Sequence, residues 1–124
     1  MFFMCGSVQA GGTVYFQVNT LSDTDDGVCD GAHCSLREAI NLANYEANPV
    51  VIDFQTGLTG TILLNSELQI LGTDISVLGP GVDKITLSGQ NQHRVMLIGY
   101  FADYISVSGL TIANGNSTNA TGSS

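Results

Sequence analysis

DISVLGPGVDKITLSG, residues 74–89, carries one short pattern twice, Ile75-Ser76-Val77-Leu78-Gly79 and then Ile85-Thr86-Leu87-Ser88-Gly89. A third copy follows at Ile105-Ser106-Val107-Ser108-Gly109. Each copy is a short β-branched run closed by glycine, too brief for a helix and bounded as strands are. From Val50 onward the chain keeps to this grammar: VVIDF, TILL, LQI, RVMLIG and YISVSGLTI come one after another, with Gly, Asn, Asp or Ser between them. Similar units at separations of ten to thirty residues point to a solenoid, where each unit stacks on its neighbour. An antiparallel sandwich also uses many short strands, but its hairpins favour tight Asn-Gly or Asp-Gly turns. Here Asn-Gly occurs only at Asn114-Gly115, after the last run. The expected fold is all-β: a parallel β-helix, favoured over a sandwich, with one N-terminal capping α-helix. Ile75, Val77, Ile85, Leu87, Ile105 and Val107 would line its core, each contributing on the order of 1.5 to 3 kcal/mol when buried.

Stacked coils leave an apolar, unpaired first end that needs a cover. The residues before Val50 read as that cover. TVYFQVN, residues 13–19, has the composition of a strand and runs into a polar loop. CDGAHCSLREAI, residues 29–40, then places two cysteines directly before a helix start. Ser35 with Glu38 three residues later forms a capping box, the Ser hydroxyl accepting from the Glu38 amide and the carboxylate from the Ser35 amide. Leu36, Ala39, Ile40 and Ala43 recur at helical spacing and would lie over the open end of the core, with Arg37, Asn41 and Asn44 on the other side. The helix is expected to run roughly three turns and to stop before Asn48-Pro49. Cys29 and Cys34 suit a structural disulfide fixing the loop that delivers the helix, its small ring placing it near the low end of the usual ~2 to 4 kcal/mol. The spacing leaves other readings open: a redox pair, which normally uses CxxC, half a zinc site completed by His33 and an acidic residue, or free thiols.

The totals narrow the function. The chain has 124 residues, enough for one domain, with 3 Lys and Arg against 11 Asp and Glu and a formal net charge of -8. Nucleic acid and anionic lipid are therefore disfavoured partners. Only 11% of residues are charged while 44% are apolar and 15 are Gly, a balance common in secreted β-rich proteins. The first ten residues, MFFMCGSVQA, resemble the end of an export signal, although they lack a positive n-region and are too short to span a membrane. Cys5 would leave with that signal, and its neighbours do not form a lipid-attachment site. The organisation expected is a truncated signal peptide over residues 1–10, a cap over 11–49, β-helix coils over 50–115 and a flexible polar tail over 116–124, with glycosylation sequons at Asn116 and Asn119.

The heptapeptide CSLREAI, residues 34–40, closely resembles the signature of the CSLREA domain, found near the N-terminus of secreted and surface proteins with right-handed parallel β-helix repeats. The surroundings are similar too: a first strand, an Asp-rich loop with Cys29, ITL-like runs, Gly79 to Gly81, and SGLTIANG at residues 108–115. The resemblance spans roughly residues 13–115. It implies a right-handed parallel β-helix, export to the cell surface or outer membrane, and a modular place in larger adhesin-like proteins. Any carbohydrate or protein ligand is expected on the lateral faces, and any continuation or pairing at the open C-terminal end. It carries no catalytic residue to this chain.

Asp23, Asp25, Asp26 and Asp30 offer oxygen ligands for calcium, but Gly27 falls at the fifth place of an EF-hand loop where the sixth is needed, and a polar turn fits better. Asp53, Asp74, Asp83 and Asp103 stand singly at run edges, unlike the paired carboxyls of a glycosidase, which flank the sugar at about 6.5 to 9.5 Å in inverting enzymes. Lys84 and Arg94 are expected in solvent. A Ser, His and Asp triad including His93 is possible in composition, but nothing positions it. The functional expectation is a non-catalytic capping module without metal or cofactor. The alternative is the N-terminal part of a polysaccharide lyase or glycoside hydrolase whose active site lies in later coils.

Overall fold

Val14, Phe16 and Val18 alternate with Tyr15 and Gln17 along β1 (Val14–Val18), so that one face is buried and the other open. A computed structural model describes residues 12–116; the expected signal peptide, Cys5 and the sequon at Asn119 lie outside the described residues. β1 pairs in parallel with β2 (Val50–Phe54), setting Val14 opposite Val50 and Phe16 opposite Ile52. The chain then passes through β3 (Gly60–Leu63), β4 (Leu68–Ile70), β5 (Thr73–Leu78), β6 (Ile85–Ser88), β7 (Met96–Ile98), β8 (Asp103–Ser108) and β9 (Thr111–Ala113). These form three sheets, ordered β1-β2-β5-β8, β3-β6-β9 and β4-β7. Every pairing is parallel, and from β2 onward each strand pairs with the one three further along.

Register stacks like on like. Ile75 lies opposite Val50 on one side and Ile105 on the other, and Val77 opposite Ile52 and Val107. Ile62, Leu87 and Ile112 form a second column, and Ile70 with Ile98 belongs to a third. The three similar pentapeptides are therefore not equivalent. The copies at 75–79 and 105–109 are neighbours in the four-stranded sheet, whereas the copy at 85–89 belongs to the three-stranded one. The closing glycines follow from that neighbourhood: a Cβ on Gly79 would sit 2.2 Å from the Gly109 carbonyl oxygen, and one on Gly109 2.4 Å from that of Gly79. Backbone meets backbone there, and only glycine leaves room.

Burial falls along the stack. Ile75, Val77, Ile85 and Leu87 are fully buried, while Ile105 and Val107 are only partly covered. Ile98 and Ile112 share columns with buried Ile70 and Leu87 yet are 50% and 51% exposed. The cause is position, since β7, β8 and β9 are the last strands of their sheets.

The helix α1 (Leu36–Ala43) packs against β1, β2 and β4 and buries Leu36, Ala39, Ile40 and Ala43 in the common core. It makes about two turns rather than three. Asn44 ends it, because its side chain serves the strand connection instead: Oδ1 accepts from the amides of Leu71 and Gly72, and Nδ2 donates to the Gln69 carbonyl. No described helix is long and apolar enough to cross a membrane.

The glycine contact gives a paired prediction. Gly79→Ala should destabilise the domain by about 1 to 3 kcal/mol, as forced overpacking does. Gly31→Ala, where an added Cβ meets nothing within 4 Å, should stay within about 0.5 kcal/mol. Urea midpoints at unchanged m-value are the measurement, and equal midpoints for the two variants would refute the backbone contact.

Candidate functional site

Polar side chains concentrate where the loop before α1 meets the helix. The first amides of a helix have no partner within it. Here Glu38 N–H donates to Ser35 Oγ at 3.1 Å, and Ser35 N–H donates to Glu38 Oε1 at 2.8 Å. The Ser35 hydroxyl donates in turn to the Thr24 carbonyl at 2.6 Å. The second oxygen of Glu38 accepts from the Asp26 amide at 2.9 Å, and His33 Nδ1 lies 3.2 Å from the first. Glu38 is fully buried. Its charge is offset by amides and the positive end of the helix.

Cys29 and Cys34 are both buried and joined as a disulfide, so neither is a metal ligand. The bridged loop hangs on Asn19, which the sequence shows only as a strand-end residue. Its Oδ1 accepts from the Cys34 amide at 2.7 Å, and Nδ2 donates to the carbonyls of Asp30 and Gly31. A disulfide is compatible with an oxidising, extracellular compartment.

The four loop carboxylates diverge. Asp23 accepts a bidentate pair from Arg37, at 2.9 and 3.0 Å, and the Asn65 amide. Asp25 accepts from Gly27 N–H and Asn41 Nδ2, Asp26 from Val28 N–H, and Asp30 from the amides of Ala32 and His33. They close turns rather than surround a common point. Among the described residues, one group offers three ligand atoms close together: Asp26, His33 and Glu38, within 4.8 Å of one another.

Arg37, on the side of α1 away from its apolar stripe, clamps the helix to the β3–β4 turn through Asp23 and the carbonyls of Ser66 and Glu67. Two expectations need correction. Arg94 is not solvated, because Glu67 in that same turn draws its guanidinium to 3.0 Å, and its side chain is 23% exposed. Asp53 stands inside β2 rather than at an edge. His93 faces the carbonyls of Leu64 and Arg94 with its ring nitrogens, away from any triad.

Along the outer side of α1 runs a cleft of about 530 Å³, reached by Glu38 and Asp25 and walled by Asn41, Asn44, Tyr45 and Gln69. Tyr45 is 92% exposed beside it. No sequence periodicity marks this cleft, since its walls come from the helix end and from β4.

The Val28 amide, donating to Oδ1, holds the Asp26 carboxyl below the ordinary carboxylate range. A lowered folded-state pKa contributes stability that is complete above the unfolded value and is lost as pH falls through the folded one. Amide protection at Val28 should therefore drop on acidification below the ordinary carboxylate range, and Asp26→Ala should abolish that pH dependence in hydrogen exchange. Protection that ignores both changes would contradict the assignment.

Comparison with known proteins finds no matching family model, no matching curated protein and no matching solved structure.

Proposed function

We propose that residues 12–116 are the capped first end of a right-handed parallel β-helix of the CSLREA type, serving as a non-catalytic module of an exported, surface-displayed, adhesin-like protein. The observation that carries this reading is the rotation of the chain through three parallel sheets, each strand pairing with the one three further along, beneath a helix packed on β1, β2 and β4. Right-handedness follows from the strong preference of parallel crossovers.

The motif CSLREAI supports the reading because each of its residues has a physical task. Cys34 is bridged, Ser35 caps, Leu36, Ala39 and Ile40 enter the core, Arg37 clamps Asp23, and Glu38 gathers the loop amides. The bridge suits export. The edge formed by β7, β8 and β9 is where this reading places the next coil or a pairing chain.

Leu36→Asp or Ile40→Asp puts an unpaired charge into the core and should cost about 4 kcal/mol or more, removing most of a typical domain's stability. Thermal unfolding followed by circular dichroism measures it, and an unchanged melting temperature would mean that the helix is no lid. Exported protein should show Cys29 linked to Cys34 by mass spectrometry. Release of new reducing ends or unsaturated uronides from polygalacturonate would replace the module by a hydrolase or lyase.

A further inference from the structure

Asp26, His33 and Glu38 come from three parts of the cap: the Asp loop, the residue before Cys34 and the first turn of α1. Two carboxylates and one imidazole make a donor set for a divalent ion, and the nitrogen favours zinc-like transition metals over calcium or magnesium, which prefer all-oxygen sites.

The histidine is held as a ligand is held. His33 Nε2 lies 3.1 Å from Thr24 Oγ1 and 3.3 Å from Ser22 Oγ, so a proton on Nε2 donates to a hydroxyl and leaves Nδ1 with its lone pair. Nδ1 is buried and makes no hydrogen bond, although Glu38 Oε1 is only 3.2 Å away. The distance suits a hydrogen bond and the direction does not. For a group that merely hydrogen-bonds, that misalignment is costly. For two ligands of one ion it is expected, since each points at the ion and not at the other.

The outer shell is also built. Both Glu38 oxygens accept backbone amides, Asp26 Oδ1 accepts from Val28, and His33 lies within the short loop that the Cys29–Cys34 bridge closes. Ligating carboxylates and histidines are held in this way, and the site opens to solvent on the side of exposed Asp26 and half-buried His33.

We propose that Asp26, His33 and Glu38 form a binding site for one divalent transition-metal ion of the zinc class. The bound ion ties the Asp loop to the start of α1. Two carboxylates neutralise its charge, and a water completes the coordination. The cysteines, joined to each other, take no part. This site is independent of the reading of the domain as a β-helix cap, which stands or falls on other measurements.

The test uses the full chain without a histidine tag, carrying Cys5→Ser so that no thiol outside the bridge competes, and without reductant. Calorimetric titration with Zn²⁺ at neutral pH should show one ion per chain and a rise in melting temperature that Ca²⁺ does not reproduce. Asp26→Asn, which keeps the oxygen that accepts from Val28, and His33→Ala should each weaken binding more than about tenfold. If His33→Ala lowers the melting temperature of the metal-free chain, Asp26→Asn decides alone. Absence of Zn²⁺ binding, or binding that Asp26→Asn leaves unchanged, overturns the site and makes the His33 contact a simple ion pair.

Discussion

Glu38, a carboxylate buried with no lysine or arginine against it, governs the architecture of the cap. Such a charge is tolerable only where donors are fixed around it. The Ser35 amide is delivered by the N-cap conformation, and the Asp26 amide by the loop that turns at Gly27, whose φ is +81°. Displacing either amide strands a buried carboxylate oxygen, which costs about 1 to 3 kcal/mol each. The disulfide and Asn19 hold the segment that carries His33 beside them. The loop is thus polar in sequence and rigid by requirement.

A second constraint acts along the stack. Parallel strands cannot be joined by a tight turn, so the chain must travel away and return. Here it travels through two further sheets before pairing again. Repetition then makes local oddities affordable. Asp74 and Tyr104 both adopt φ of +57° between the aligned pairs Thr73–Asp103 and Ile75–Ile105. A left-handed tyrosine is unfavourable alone, yet the same bend in the neighbouring strand holds it.

Sequence legibility follows the range of the interaction. Ser35 with Glu38 is a contact across one turn, and the stripe from Leu36 to Ala43 has helical period, so both can be read directly from the chain. Parallel β-strands with one helix were likewise within reach, because the runs after Val50 are short and their turns are not hairpin turns. What stayed hidden depends on distant partners. Arg37 looks like a solvent-facing cation until Asp23, fourteen residues away, is placed beside it. Asn44 looks like another helix residue until Leu71, twenty-seven residues on, donates to it. The pattern Ile-x-Val or Ile-x-Leu says strand but not which sheet, which is why the copies at 75–79 and 85–89 look equivalent and are not.

The two ends of the stack pose one problem in unequal form. At the first end the solution has three parts: β1 satisfies the backbone edge of β2, α1 covers β4, and Leu21 lies over Gly60 at the start of β3, with Cδ1 2.6 Å from where a Cβ would stand. A helix alone would not suffice, because its amides are already spent within it and cannot pair with a strand. Across β7, β8 and β9 the same need is visible in Ile98 and Ile112, half exposed in columns whose other members are buried. On the proposed reading the occupant of that edge supplies strand-like backbone donors and acceptors together with aliphatic side chains at alternate positions, and a further turn of parallel strands would meet both demands at once.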